Sequence, residues 1–172
     1  MTITHKDLVR ALAKPGLAIM ASMTPTKMHL LHMAVGVSGE VAEFMQAARN
    51  LDRENALEEL GDTEFYMEGI YDTLELPRQM CADMQVYDPI SFSAAAGDLL
   101  DVVKKITIYN KAPDAGSLQC AMDTMERELC AARSFFDIAR QECIDHNIAK
   151  LTKRYSEGRY SDAAAQRRAD KE

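Results

Sequence analysis

The sequence predicts an all-α protein whose core is a four-helix bundle. Apolar residues recur at steps of three and four along two long segments within residues 26–76 of this 172-residue chain, which is the spacing of amphipathic helices. Only 8 glycines and 5 prolines interrupt the chain, and no stretch reads as a β-hairpin. An apolar content of 47% is ample for the core of one domain of this length.

The first two long helices are expected to form a hairpin over about residues 26–76, after a short helix at 6–13. The first long helix begins where Pro25 suits a position in the first turn. Asp52 is a plausible N-cap for the second helix, and Pro77 stops that helix. If the two helices pair as antiparallel neighbours, the polar side chains on their facing stripes meet.

A second hairpin is expected over about residues 91–155. Its first helix covers residues 91–110, and Pro113 marks the turn that follows. Ser117 then caps a long fourth helix that reaches towards His146. The predicted organisation is therefore a single all-α domain at residues 1–160 that contains both hairpins.

The last residues, 161–172, are alanine-rich and charged. We expect them to form a loosely held tail, since chain termini are poorly ordered unless they are tied down.

The two hairpins resemble each other, which suggests a diverged internal repeat. GEVAE at residues 39–43 has a counterpart in GDLLD at 97–101, and EELGD at 58–62 aligns with RELCA at 127–131. The second copy has shorter acids in its first motif and lacks the last acid of the second motif, where Ala131 stands. Chance similarity between two amphipathic helices is the alternative interpretation.

The composition excludes several classes of protein. A net charge of −7 with both signs interspersed argues against a nucleic-acid surface, which needs a basic stripe. No apolar run approaches the length of a membrane span, and the N-terminus has no signal-peptide pattern. Four cysteines, at positions 81, 120, 130 and 143, show no Cys-x-x-Cys spacing. They are expected to be the reduced thiols of a cytoplasmic protein.

Two pairs of acids are the most informative motif. Glu40 and Glu43 are three residues apart in the first long helix, and Glu59 and Asp62 have the same spacing in the second. Residues three apart share a helix face, so each pair brings two like charges together at a cost of about 0.2–0.5 kcal/mol. Carboxylate oxygens suit Mg²⁺, Ca²⁺ or Mn²⁺, and a bound cation would remove that repulsion. A solvated acidic face is the plainer alternative.

Other metal and nucleotide sites fit the chain less well. His29 and His32 lie on the same stripe as the first acid pair, but no third well-placed ligand accompanies them. We expect the two histidines to pack or to form hydrogen bonds, and not to bind zinc. The sequence contains no Glu-x-x-His repeat of a di-iron bundle and no glycine-rich phosphate loop.

The acid motifs resemble those of a known family. E-x-x-E at residues 40–43 and EELGD at 58–62 are similar to the pattern of the all-α nucleoside triphosphate pyrophosphohydrolases, and NIAKLTKRY at 147–155 resembles the closing segment of that family. VVKK at 102–105 is similar to the basic end of the family's first helix. Over about residues 28–160 the chain thus resembles the MazG-like members of a superfamily that includes the dimeric dUTPases and the phosphoribosyl-ATP pyrophosphohydrolases.

The resemblance implies a MazG-like fold and a hydrolase. The expected reaction is the metal-dependent hydrolysis of a (deoxy)nucleoside triphosphate to the monophosphate and pyrophosphate, with a role in control of the nucleotide pool. The expected cofactor is Mg²⁺, which Mn²⁺ can replace, with two or more ions per site. The acids expected to hold the metal and to act in catalysis are Glu40, Glu43, Glu59 and Asp62. The residues expected to bind substrate are Lys104, Lys105, Asn147, Lys150 and Arg154.

The intact acids lie in the first hairpin, whereas the double lysine and the closing segment lie in the second. We therefore expect a composite site, with metal ligands from one half of the chain and phosphate contacts from the other. Because a hairpin with a degenerate copy leaves apolar faces, we also expect a homodimer or homotetramer. Purine deoxynucleotides are weakly favoured as substrates, only because the chain looks like phage members of the family.

Two alternatives stay open at this stage. The first is a dUTPase, which would convert dUTP to dUMP and pyrophosphate. The second is a non-catalytic helical module whose acids only bind a metal or a partner.

Overall fold

The computed structural model describes residues 3–79, 85–112 and 114–171, and every regular element among these residues is a helix. Cys81, Pro113 and Glu172, which entered the sequence predictions, lie outside the described residues. The elements are α1 (His5–Leu12), α2 (Gly16–Ser22), α3 (Pro25–Asn50), α4 (Arg53–Leu74), α5 (Pro89–Thr107), α6 (Ala115–Phe135), α7 (Arg140–Arg154), α8 (Asp162–Arg167) and a 3₁₀ turn, Ala169–Lys171. The all-α prediction is confirmed.

Helices α3 and α4 form the first hairpin, close to the predicted bounds. Leu51 ends α3 in the left-handed conformation, with φ of 53°, and Asp52 caps α4 by accepting a hydrogen bond from the backbone N–H of Asn55. Helix α4 ends at Leu74, before the expected Pro77. Glu75 there adopts a left-handed φ of 52°, which turns the chain out of the helix.

Helices α5 and α6 pack together as the second hairpin. Asp88 caps α5, and its carboxylate accepts from the backbone N–H of Ser91 at 3.0 Å. The N-cap of α6 is Asp114 instead of the expected Ser117, because its side chain accepts from the backbone N–H of Gly116.

The expectation of one long fourth helix reaching His146 is wrong. Helix α6 ends at Phe135, and Asp137 has a left-handed φ of 51°. The backbone N–H of Ile138 reaches back to the carbonyl of Arg133 at 3.0 Å, which closes the end of the helix. Ala139 is extended and leads into α7, so residues up to 154 form a separate helix that packs on α4.

The core lies between the two hairpins. Helix α3 is central and packs against both α4 and α5, while α6 packs on α5. Phe44 of α3 is fully buried, with its ring 5.4 Å from that of Phe92 and 5.9 Å from that of Phe136. Burial of each such side chain contributes about 1.5–3 kcal/mol. No helix among the described residues is long and apolar enough to cross a membrane.

A buried cluster of charged side chains around Glu64 of α4 connects this helix to α6 and α7. Glu64 is 3% exposed and accepts from Arg133 of α6 at 2.7 Å and from Arg140 of α7 at 3.0 Å. Arg78, which follows α4, donates to Glu64 at 2.6 Å and lies 2.7 Å from Glu126 of α6. This cluster holds the start of α7 against α4.

The C-terminal residues are not the loosely held tail that the composition suggested. The guanidinium of Arg154 donates two hydrogen bonds to Asp170, at 2.6 and 2.7 Å, and the ammonium of Lys171 lies 2.7 Å from Glu58. These ion pairs return the end of the chain to α7 and α4. The contacts tie the segment down, although its composition resembles that of a disordered tail.

Candidate active site

Three glutamates from the first hairpin meet at one point. Each of Glu40, Glu43 and Glu59 offers a carboxylate oxygen, and the three atoms lie within 4.8 Å of one another. The position of the turn explains this meeting. Glu43 and Glu59 are both eight residues from Leu51, and Glu40 and Asp62 are both eleven residues from it. In an antiparallel hairpin, residues equidistant from the turn lie at the same height on neighbouring helices.

Burial and mutual repulsion change the protonation of this cluster. Glu59 is 6% exposed, and its pKa is raised to about 8 by burial, by a hydrogen bond with Glu40 and by the neighbouring negative charges. The pKa of Glu40 is also raised, first by burial and then by the charge of Asp62. Without a cation, Glu59 therefore holds a proton at neutral pH and shares it with Glu40.

Asp62 lies beside the three glutamates but has other partners. Its carboxylate accepts a hydrogen bond from the side-chain amide of Asn147 at 2.6 Å and another from the ammonium of Lys150. Asn147 and Lys150 are both buried residues of α7. The structure thus brings Asn147 and Lys150 to the acids, where both side chains contact the carboxylate of Asp62.

Glu58 is a site residue that sequence reasoning did not assign. Its carboxylate lies 3.3 Å from the ammonium of Lys150 and 2.7 Å from that of Lys171. Burial alone would raise the pKa of Glu58, but the hydrogen bond from Lys171 and the charge of Lys150 outweigh it and lower that pKa. The signal was available in the sequence, because Glu58 is four residues before Asp62 and therefore shares its helix face.

The acids line a cavity of about 1060 Å³ between α3, α4, the end of α7 and the C-terminal segment. Cationic and aromatic side chains form much of the remaining lining. The cations are Arg154, Arg159, Arg168 and Lys171, and the rings are those of His29, His32, Phe65, Tyr66, Tyr155 and Tyr160. A cavity with carboxylates, cations and flat rings offers contacts to a metal ion, an anion and a planar ring.

Lys104 and Lys105 are not brought to the acid cluster. Both pair with Asp101 on their own helix, Lys105 at 2.6 Å, and neither lines the cavity. Their helix, α5, packs on α3 and α6, whereas the cavity is lined by α3, α4 and α7. Of the five predicted substrate contacts, Arg154 lines the cavity, but its guanidinium is held by Asp170.

The two histidines form part of an aromatic wall. The rings of His29 and His32 are 6.5 Å apart, and the ring of His32 is 6.0 Å from that of Tyr66. Tyr66 packs over Gly36, where an added Cβ would lie 2.4 Å from the ring. Among the described residues, the group of three potential ligands that converge consists of the glutamates and includes neither histidine.

Comparisons of this chain with protein-family models, with curated proteins and with solved structures found no match.

Proposed function

We propose that this protein is a metal-dependent nucleoside triphosphate pyrophosphohydrolase, the activity of the MazG-like family that its motifs resemble. The observation that carries the proposal is the convergence of Glu40, Glu43 and Glu59 within 4.8 Å at a cavity that also has cationic lining. An acidic cluster alone would suit many roles. The cations and the rings in the same cavity add the groups that a nucleotide requires.

The donor set fits a hard divalent cation. Glu40, Glu43 and Glu59 would hold Mg²⁺ or Mn²⁺ through carboxylate oxygens, the ligands that these ions prefer. A second ion would recruit Asp62 in exchange for its bonds from Asn147 and Lys150. Bound there, the metal supplies positive charge that offsets both the carboxylates and the phosphates. The raised pKa of Glu59 supports this assignment, because a buried acid beside other acids gains most from a cation.

In the proposed reaction, a water oxygen attacks the α-phosphorus and the bond from that phosphorus to the bridging oxygen breaks. The nucleoside monophosphate and pyrophosphate are released. One of the clustered carboxylates accepts the proton of the water, since an ionised carboxylate is an acceptor. The basic groups of the cavity stabilise the negative charge that develops on the leaving pyrophosphate.

The aromatic wall is suited to a nucleobase but does not discriminate between bases by itself. His32, Phe65 and Tyr66 offer flat faces and edges for stacking. Purine deoxynucleoside triphosphates remain the weakly favoured substrates. dUTP is the runner-up substrate, and the same experiment compares them.

The test is a panel of ribo- and deoxyribonucleoside triphosphates, including dUTP, with Mg²⁺, Mn²⁺ or a chelator. Pyrophosphate and inorganic phosphate are both quantified. We expect one pyrophosphate per monophosphate formed, only with metal, and a loss of orders of magnitude in Glu59→Gln. Stepwise release of phosphate would contradict the proposed reaction. Metal binding by calorimetry without any turnover would favour the non-catalytic module instead.

A further inference from the structure

The C-terminal strap, which we define as residues 155–171, lines the same cavity as the glutamates. Tyr155, Arg159, Tyr160, Arg168 and Lys171 all contribute to the lining. The strap follows α7 directly and includes α8 and the final 3₁₀ turn. It therefore places several cationic and aromatic side chains at a site whose acids come from residues more than ninety positions earlier.

Two ion pairs fix the strap in this place. The guanidinium of Arg154 binds Asp170 through two parallel hydrogen bonds, and the side chain of Asp170 is only 2% exposed. Lys171 then binds Glu58 of α4. A shielded ion pair with two hydrogen bonds, such as Arg154–Asp170, fixes the geometry of its side chains better than a surface pair does. The Arg154–Asp170 pair is thus a latch that determines where the end of the strap lies.

Arg168 lies two residues before Asp170, the first of these two anchors. It ends α8 with φ of 50° and ψ of 50°, the left-handed conformation. Glycine is the usual residue there, since a side chain in this conformation is strained. Leu51, Glu75 and Asp137 adopt the same conformation at or just after the ends of their helices, so it marks the end of α8, and what distinguishes Arg168 is its place in the cavity lining.

The guanidinium of Arg168 also differs from the other cations of the site. Lys150, Arg154 and Lys171 are each bound to carboxylates. Within residues 3–79, 85–112 and 114–171, no group forms a hydrogen bond or an ion pair with the side chain of Arg168. This arginine has its hydrogen-bonding capacity available to a ligand in the cavity.

We propose that the C-terminal strap is a triphosphate-binding element, in which Arg168 donates hydrogen bonds to phosphate oxygens and the Arg154–Asp170 latch positions it. This inference rests on the proposed function for the identity of the ligand. Arg154 then acts as a positioning residue, in contrast to the direct phosphate contact that the sequence suggested.

The electrostatics of the cavity favour this division of roles. A triphosphate carries several negative charges and has to approach a site that already contains five carboxylates. Cations that already pair with a carboxylate, as Lys150, Arg154, Arg159 and Lys171 do, offer little further attraction. An arginine without such a partner offers a planar fork that matches phosphate oxygens.

The test uses the full chain and the variants Arg168→Gly, Arg168→Gln and Arg167→Gln. Glycine suits the left-handed conformation, so Arg168→Gly removes the guanidinium without adding strain. Arg167 is the matched control, because it is the adjacent arginine and lines a different, smaller cavity. The readouts are KM and kcat for pyrophosphate release, the Kd of a non-hydrolysable α,β-imido triphosphate with Mg²⁺, and the Tm.

We expect both Arg168 variants to raise KM and the Kd of the analogue by roughly ten- to a hundredfold, the effect of losing a charge-assisted hydrogen bond. The Tm of Arg168→Gly should equal or exceed that of the parent. If Arg168 had only a structural role, weaker binding would be accompanied by a lower Tm. Arg167→Gln should match the parent. Unchanged KM and Kd in both Arg168 variants would overturn the inference.

Asp170→Asn tests the latch, because it removes the charge while keeping the shape of the side chain. We expect KM to rise, since Arg168 loses its fixed position. A lower KM would show that Asp170 competes with substrate for Arg154, and would overturn the latch.

The binding measurement separates this inference from the proposed function. If the full chain binds the analogue through Arg168 but hydrolyses no triphosphate, the proposed reaction is wrong, and the triphosphate-binding role of the strap is supported. If the chain hydrolyses triphosphates and the Arg168 variants behave like Arg167→Gln, the proposed reaction is supported, and the triphosphate-binding role of the strap is wrong. Absence of both binding and turnover would overturn both.

Discussion

Gly61 on α4 packs against the backbone carbonyl of Cys143 on α7, and a Cβ atom added at Gly61 would lie 2.8 Å from that oxygen. The same added atom would lie 3.2 Å from the Cβ of Asn147. This close approach sets the distance between α4 and α7. It thereby places the amide of Asn147 and the ammonium of Lys150 on the carboxylate of Asp62.

Gly61→Ala should therefore push α7 away from α4. Backbone cannot yield as a flexible side chain can, so we expect a loss of about 1–3 kcal/mol in the free energy of unfolding and a marked loss of activity. Gly39→Ala is the control, since an added Cβ at Gly39 meets nothing within 4 Å. Gly39→Ala should stabilise the helix by about 0.5–1 kcal/mol. Denaturant unfolding of both variants checks the pair, and equal effects would contradict the role of Gly61.

The acid cluster should make the metal-free protein less stable as the pH rises. The pKa of Glu59 is about 8 in the folded state against an ordinary value of 4.5. Between these two values the folded state holds a proton that the unfolded state has lost. The contribution of Glu59 to the free energy of unfolding is therefore fully present below pH 4.5. It is lost as the pH rises through about 8.

Glu59→Gln isolates this contribution, because the neutral amide imitates the protonated acid. Chemical unfolding in a chelator, between pH 5 and 9, should show a smaller loss of stability for Glu59→Gln than for the parent. At pH 8 the variant should be at least as stable as the parent, although it is inactive. Parallel pH profiles for the two proteins would argue against the raised pKa.

Binding of Mg²⁺ should displace that proton. At pH 7 most Glu59 side chains are protonated, and a metal ion requires the ionised carboxylate. Calorimetry in two buffers of different ionisation enthalpy should show release of close to one proton per ion at pH 7, and less above pH 8. The Tm should rise with Mg²⁺. At a hundredfold excess of the ion over Kd, the free energy of unfolding should increase by about 2.7 kcal/mol. Neither effect should occur in Glu59→Gln, and proton-free binding to the parent would contradict the assignment.

The parts of the structure that the sequence predicted are those set by local signals. The α3–α4 hairpin follows from the helical period and from the cap at Asp52, and the turn position alone brings Glu43 and Glu59 to the same height. The end of α6 carries no glycine or proline, so the left-handed Asp137 left no sign in the sequence. A continuous helix was the natural expectation.

Long-range contacts explain the remaining differences. Lys171 and Glu58 are 113 positions apart, and no pattern near either residue announces their pairing. The assignment of Lys104 and Lys105 to the site rests on the resemblance of residues 102–105 to the basic end of the family's first helix. Asp101 on the same helix satisfies both lysines instead, and the hydrogen bonds from Lys104 and Lys105 lower the pKa of Asp101 to about 2.

The N-terminal helices should take part in self-association. Neither α1 nor α2 contains a buried residue, and both expose large apolar side chains. These are Leu8, Val9, Leu12, Leu17 and Met20. We expect a homodimer or homotetramer that is weakened when residues 1–22 are deleted, because apolar surface of this kind favours burial. Sedimentation at micromolar concentration checks this, and a single 19.2 kDa species for the full chain would contradict it.

The two halves of the chain should contribute unequally to catalysis. Lys150 is buried at 9% exposure and contacts Asp62 and Glu58, so its loss removes the ammonium beside Asp62, while Glu58 keeps its pair with Lys171. Lys150→Ala should reduce kcat/KM by roughly ten- to a hundredfold, the effect of about 1.5–3 kcal/mol. Among the described residues, Lys104 pairs with Asp101 of its own helix, at a half-exposed position.

Lys104→Ala is accordingly the matched control and should leave kcat/KM within about twofold of the parent, since exposed pairs contribute little. Asp98→Asn should also do little, because Asp98 corresponds to Glu40 in a copy that lacks the fourth acid at Ala131. Steady-state kinetics of the three variants beside Glu59→Gln give the ranking. An Asp98→Asn variant as damaged as Glu59→Gln would place a working acid site in the second hairpin, and the assignment of the metal to the first hairpin alone would be wrong.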